Sequence, residues 1–286
     1  KRGVGTVASE FKVRPMAGSL GAEIAGVDLS KPLSNEEFSG IHQAWLDHLV
    51  IYFRNQDLTP EQHRNFALRF SKLEEHPYVE GLDGIPEIIA IVKEPEEYKN
   101  WGGPWHADVT FKEEPSIGAA LYAREVPDFG GDTGFANMYL AYETLSDGMK
   151  AMIDRLEAIH DSTGYDYYNT FRSMKGKAAV GDRSTHPVVI THPETGRKAL
   201  FVNRSYTTHF KDMTVAESKP LIDFLCDHAS RIEFTTRLHW EPGTLGVWDN
   251  RVTMHCAIDD DFAAKNGGTG FRRVMHRATF AGQVPN

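Results

Sequence analysis

The sequence predicts a mixed α and β fold with a jelly-roll β-sandwich at its core, and two observations carry the prediction. Short alternating or β-branched runs recur from one end of the chain to the other, with capped helices between them. A His-x-Asp pair, His106 and Asp108, stands far along the chain from a second candidate ligand, His255. If all three meet at one metal ion, strands from both ends of the chain must converge on it, and a jelly roll achieves that.

Taken in order, the runs Phe11 to Pro15 and Ala22 to Leu29 alternate and are broken by glycine, which is the pattern of strands. Ser34 and Glu37 form a capping box for a helix through about Leu46, with Phe38, Ile41, Trp45 and Leu46 on one face. Leu49 to Phe53 is continuously apolar and β-branched, hence a buried strand. Thr59, Pro60 and Gln62 repeat the start signal, with proline at the first helical position, for a helix through Phe70. Strands follow at Glu87 to Val92 and Ser116 to Ala123. Tyr139 to Ile159 has a helical pattern, with Ser146 capping its second part.

The stretch 161–185 lacks periodicity and is expected to be a long loop, a candidate lid carrying Tyr165, Tyr167, Tyr168 and Phe171. His186 to Ile190 and Lys198 to Asn203 read as two strands joined by a Pro-Glu-Thr-Gly turn, with His186 and His192 as structural residues. Thr214 and Glu217 cap a further helix whose apolar positions are Leu221, Ile222, Leu225 and Cys226. Glu233 to Trp240 alternates as a strand, and Gly246 to His255 reads as a strand, a turn and the distal histidine. No repeat, low-complexity tract or linker divides the chain, so residues 1–286 are expected to form a single domain.

In a strand, side chains two apart share a face, so His106 and Asp108 can reach one ion. Imidazole and carboxylate together suit Fe(II), Mn(II) or Zn(II) rather than a soft thiolate site. Two histidines and one carboxylate on one side of a metal leave its other side open, the facial arrangement used by non-haem iron oxygenases. A chain with 13 histidines will show about one such pair by chance, so its surroundings matter. Here Gly130, Gly131, Asp132 and Thr133 follow the first pair, and Arg272, Arg273 and Arg277 follow the distal histidine. Anion-binding groups therefore accompany both halves.

Composition narrows the partners. A formal charge of −9 and a pI of about 5.8 provide no basic stripe for a phosphate backbone, which disfavours nucleic acid. Two cysteines, Cys226 and Cys256, are too few for a disulfide framework or a four-thiolate zinc site, and a reduced cytoplasmic protein is the simplest reading. No apolar run approaches the ~20 residues that cross a bilayer, so no membrane association is expected.

Six stretches together resemble one family almost end to end: Leu20 to Leu29, Trp105 to Phe111, Gly130 to Thr133, Thr191 to Asn203, Trp248 to His255 and Met275 to Thr279. The chain is similar to the taurine dioxygenase family (TauD/TfdA), iron(II)- and 2-oxoglutarate-dependent oxygenases with a double-stranded β-helix core and flanking helices. The resemblance implies Fe(II) held by His106, Asp108 and His255, with 2-oxoglutarate and O2 as co-substrates and succinate and CO2 as products. It implies that Thr133 and Arg273 meet the distal carboxylate of 2-oxoglutarate, and that His76, Tyr206 and Arg277 hold an anionic substrate. It implies self-association as well, without fixing the number of subunits. Because Asp108 is present, it implies hydroxylation rather than halogenation.

The expected substrate is a small organosulfonate, alkyl sulfate or aryloxyalkanoate. Taurine-binding members carry a tyrosine where this chain has Val79 and an asparagine where it has Gly102, so the resemblance extends to the chemistry rather than to taurine. Asp259 to Gly270 is also longer than the matching loop of taurine-oxidising members. A biosynthetic hydroxylase, desaturase or epoxidase of the same family stays open, and so do two readings from other classes: a zinc-dependent hydrolase using the same three ligands, and a jelly-roll binding protein without a metal.

Overall fold

A computed structural model describes residues 11–76, 79–163 and 181–286. Among them a nine-stranded sheet runs in the order Lys12–Pro15, Ala22–Ala25, Val50–Phe53, Leu245–Asp249, Gly118–Glu125, Arg273–Phe280, Ile85–Lys93 and Gly81–Leu82, with Leu73–Glu74 paired to the end of Arg273–Phe280. Neighbours are antiparallel except Ala22–Ala25 and Val50–Phe53. A three-stranded sheet of Thr235–Leu238, Thr133–Asn137 and Thr253–Ala257 faces it, with Phe135 against Trp248 at 5.8 Å between ring centres. Two facing, mainly antiparallel sheets with helices outside form the expected jelly roll.

Alternation along the strands sorts side chains into two cores. In Gly118–Glu125, Ala119, Leu121 and Ala123 point between the sheets, while Ala120 and Tyr122 point outward. In Arg273–Phe280, Met275 joins the inner core and Ala278 and Phe280 the outer one. The period of two therefore sets Arg273 and Arg277 on the inner side, with Met275.

The outer core is closed by helices Asn35–His48 and Pro60–Ala67, through Ile41, Ala44, Trp45, Phe66 and Ala67. Both start at the reciprocal capping boxes read from the sequence, and helix Val215–Ala229 starts at a third. Phe280 is fully buried where these helices meet the sheet, and cutting it to alanine is expected to cost about 3–5 kcal/mol.

Several expectations change. Tyr139 to Ile159 is not helical throughout: helices Met138–Glu143 and Asp147–Ile153 are followed by the strand Glu157–Asp161. That strand lies between Arg183–Pro187 and Thr207–Phe210, and pairing on both sides overrides its local pattern. Of the stretch 161–185 expected as a loop, Asp161 and Arg183 to Thr185 belong to paired strands instead. The four aromatic residues of the candidate lid lie outside the described residues.

Glu233 to Trp240 opens with the 3-10 turn Ile232–Phe234 before the strand Thr235–Leu238. The long segment after Asp259 contains a short helix, Phe262–Lys265, capped by Asp261. No described helix is long and apolar enough to cross a membrane.

Candidate metal centre

His106 and His255 are brought together by their own backbones. The amide of His106 donates to the His255 carbonyl at 3.0 Å and the amide of His255 to the His106 carbonyl at 2.8 Å, an isolated antiparallel bridge. His255 belongs to strand Thr253–Ala257, so its position follows from sheet pairing. Asp108 does not lie on a strand, contrary to the alternation argument. Val109 has φ +47°, a value that a β-branched residue adopts only at a cost of about 1–3 kcal/mol. The chain turns there, with Lys112 donating to the Val109 carbonyl at 2.9 Å, and this turn carries the Asp108 carboxylate back toward the two rings.

Asn250 holds the turn in place. Its Oδ1 accepts the Asp108 amide at 2.9 Å, and its Nδ2 donates to the carbonyls of Asp108 at 3.2 Å and Ser116 at 2.9 Å. The result is a buried trio in which Nε2 of His106 and Nε2 of His255 each stand 3.7 Å from Asp108 Oδ1. One donor atom from each of the three residues lies within 4.8 Å of the others.

His106 Nδ1 lies 2.7 Å from the Pro104 carbonyl, which fixes the proton on Nδ1 and leaves the Nε2 lone pair facing the trio. Two imidazole nitrogens and one carboxylate oxygen at this spacing fit a single first-row divalent ion.

Charge around the trio favours an ionised carboxylate. Burial opposes the charged form of Asp108, but Arg277 and the two histidines outweigh it and hold this carboxyl well below its usual range. Arg277 lies 2.8 Å from Asp108 Oδ2, a partner that sequence reasoning did not assign to it, and so leaves Oδ1 to the histidine side. Its guanidinium sits between Trp248 and Trp101, 5.7 and 6.0 Å from the ring centres. Burial, and then the neighbouring His106, push His255 down to about 3, so its ring is neutral and able to ligate. Trp248 and Phe135 cover that ring at 4.8 and 6.1 Å.

A second polar group lies on the inner side of the same sandwich. Arg273 is 5% exposed, its Nε has no hydrogen-bond partner among the described residues, and burial lowers it to about 10. A buried guanidinium of this kind is costly unless an anion joins it. Thr133 Oγ1 accepts from Trp240 Nε1 at 2.9 Å, so its own proton is left to donate elsewhere. Gly131, at φ +66°, packs close to Arg273, and a Cβ there would come 3.4 Å from Arg273 Cδ. These residues fit a carboxylate.

Two of the remaining candidates flank the trio. His76 Nδ1 accepts the Val79 amide at 3.1 Å, which puts its proton on Nε2, and its ring lies 5.6 Å from Trp101. Burial and then Arg277 lower His76 to about 4. Tyr206 is buried, edge-on to His106 at 6.3 Å and to Phe111 at 5.1 Å. Gly102 has φ +82°, and a Cβ there would stand 3.1 Å from His106 Cε1, so the position beside the first ligand is best met by glycine. His186 and His192 lie away from the trio, on the carbonyls of Thr110 and Lys112 and on the carboxylate of Asp249 respectively.

Asn250 and Trp240 were given no task from the sequence. Asn250 stood inside a recognised motif, and an asparagine at the turn after a strand is a signal for backbone clamping. Trp240 carried no signal, because its partner Thr133 is distant in sequence and adjacent only once Thr235–Leu238 pairs with Thr133–Asn137.

Residues 12–279 match the family described as Taurine catabolism dioxygenase TauD, TfdA family. The chain is 35% identical to an alpha-ketoglutarate-dependent sulfate ester dioxygenase of Pseudomonas putida, over 97% of this chain and 92% of that protein. It is 32% identical to an (S)-phenoxypropionate/alpha-ketoglutarate-dioxygenase of Sphingobium herbicidovorans, over 95% of each chain. Among solved structures, a taurine dioxygenase from Burkholderia xenovorans superposes with a TM-score of 0.82 at 35% identity, covering 96% of this chain and 90% of that one.

Proposed function

Because the chain belongs to the TauD/TfdA family of 2-oxoglutarate-dependent dioxygenases, we propose that it uses Fe(II), 2-oxoglutarate and O2 to hydroxylate a small anionic organic molecule. The substrate class is organosulfonate, alkyl sulfate or aryloxyalkanoate. The named relatives act on a sulfate ester, a phenoxypropionate and taurine, and these share an anionic head group. The observation that carries the reading is a buried two-histidine, one-carboxylate trio accompanied by a buried arginine that has no carboxylate at ion-pair distance among the described residues. A zinc hydrolase would use the trio and leave Arg273 and Thr133 without a task.

In this reading His106, Asp108 and His255 hold the iron. Bound there, iron supplies the oxidative decarboxylation of 2-oxoglutarate to succinate and CO2 and the hydroxylation of a substrate C–H bond. Arg273 and the Thr133 hydroxyl hold the far carboxylate of 2-oxoglutarate, a planar guanidinium being suited to two parallel hydrogen bonds. Trp240 sets the direction of the Thr133 proton. Arg277, which also pairs with Asp108 Oδ2, and His76 are assigned to the head group of the substrate, and Tyr206 to the side next to His106. The Trp248 and Phe135 rings keep water from the His255 side. Hydroxylation at the carbon bearing the sulfonate, sulfate-ester oxygen or aryl-ether oxygen would give a product that collapses to a carbonyl compound, releasing sulfite, sulfate or a phenol respectively.

The test is succinate formation by anaerobically iron-loaded protein given 2-oxoglutarate, ascorbate and oxygen, screened against sulfonates, alkyl sulfates and phenoxy acids. Succinate that rises with one compound class and vanishes in His255→Ala supports the reading and selects the class. No succinate from protein that still binds iron refutes it.

A further inference from the structure

A buried ion pair lies beside Arg273, outside the roles assigned above. Arg273 stands directly opposite Lys93 across the pairing of Arg273–Phe280 with Ile85–Lys93. Directly opposed residues of an antiparallel pair turn their side chains to one face, so two cations, 4% and 5% exposed, are neighbours in the interior. That arrangement is unfavourable unless one of them is neutralised.

Lys93 is the one neutralised. Its Nζ lies 2.7 Å from Asp261 Oδ2, with the two side chains 4% and 3% exposed, and it donates to the Phe271 carbonyl at 3.0 Å. The Phe271 ring centre is 4.2 Å from the same ammonium. Asp261 is itself held from two sides, accepting the Ala264 amide on Oδ1 and the Phe271 amide on Oδ2. Residue 270 is glycine where a Cβ would fall 2.1 Å from Asp261 Oδ2. Arg273 has no carboxylate at ion-pair distance among the described residues, and the nearby Asp132 is occupied by Arg237 and His239.

We propose that Asp261 is a positioning residue for the co-substrate: by taking up the charge of Lys93 it leaves the Arg273 charge uncompensated, matched to the single distal carboxylate of a dicarboxylic 2-oxo acid. This rests on the co-substrate reading above. The longer segment after Asp259 thereby acquires a task in co-substrate recognition.

The test uses Mn(II)-loaded protein without oxygen and compares calorimetric dissociation constants for 2-oxoglutarate and for pyruvate, which has the same keto-acid end and no distal carboxylate. Lys93→Met leaves Asp261 as a buried carboxylate without its cation, on the side of the strand pair where Arg273 stands opposite residue 93, so it competes with the co-substrate for the Arg273 charge. The 2-oxoglutarate constant is expected to rise about tenfold or more, with the pyruvate constant unchanged.

Lys93→Met/Asp261→Asn removes both charges and is expected to bring 2-oxoglutarate binding back to within about threefold of the parent. A double variant no better than the single one, or pyruvate binding that weakens in step, overturns the proposal. If Lys93→Met does not fold, the double variant decides alone: a kept preference for 2-oxoglutarate over pyruvate supports the charge argument, and a lost one refutes it. A parent protein with no preference between the two acids would instead refute the co-substrate reading, so the two failures are distinguishable.

Discussion

Asn250→Ala separates holding a metal ligand from merely closing a turn. The Asn250 side chain is buried and makes three hydrogen bonds, one from the Asp108 amide and two to the carbonyls of Asp108 and Ser116. Alanine removes all three partners. A buried amide left unpaired costs about 1–3 kcal/mol, and carbonyls, each with a second lone pair, cost less, so the expected loss of stability is about 2–4 kcal/mol.

The effect on metal is separate and larger than a slightly loosened turn would give. Groups that orient a ligand from outside the coordination sphere typically matter 10–100-fold in affinity, and the Mn(II) or Fe(II) dissociation constant is expected to rise by about that factor. Asn250→Asp keeps an acceptor for the Asp108 amide but sets an oxygen against both carbonyls, and should bind metal no better than the alanine variant. The assay is anaerobic calorimetric titration with Mn(II), well below the melting temperature of each variant, alongside thermal unfolding. Stability that falls as calculated while metal affinity stays within about twofold of the parent would refute the positioning argument.

Three further outcomes are expected. Trp240→Phe removes the donor to Thr133 Oγ1, frees that hydroxyl to rotate, and should weaken 2-oxoglutarate binding by about three- to tenfold without changing Mn(II) affinity; a parallel loss of both would point to general loosening. Gly102→Ala places a Cβ at positive φ and 3.1 Å from His106 Cε1, so it should cost about 1 kcal/mol or more and lower metal affinity, read by melting temperature and Mn(II) titration. His63 and His160 are buried and held neutral near 3, primarily by burial, below the ~6.5 of an unfolded chain. The unfolded state therefore binds protons that the folded state refuses: their stabilising contribution is present above pH 6.5 and is lost as pH falls toward 3. Each should remove about 1 kcal/mol between pH 7 and 5.5 in urea unfolding, and a flat profile over that range would contradict the assignment.

The sequence by itself determined what depends on short windows of chain. Capping boxes at Ser34, Thr59 and Thr214 mark true helix starts because a cap needs only a residue and its third neighbour. The apolar runs at Leu49 to Phe53 and from Gly246 fall on the strands Val50–Phe53 and Leu245–Asp249, and the two-histidine, one-aspartate set was legible from motif and order. Tertiary structure alone decided how those groups meet. Asp108 reaches the histidines through a turn at Val109 that no alternation rule contains, and Glu157–Asp161 is extended because strands from elsewhere pair with it on both sides. Arg277 meets Asp108, Trp240 meets Thr133 and Asp261 meets Lys93 only after sheet pairing has brought distant segments side by side. The physical reason is range: periodicity and capping act over one or two turns of chain, whereas a buried polar group takes whichever partner the packed strands set beside it.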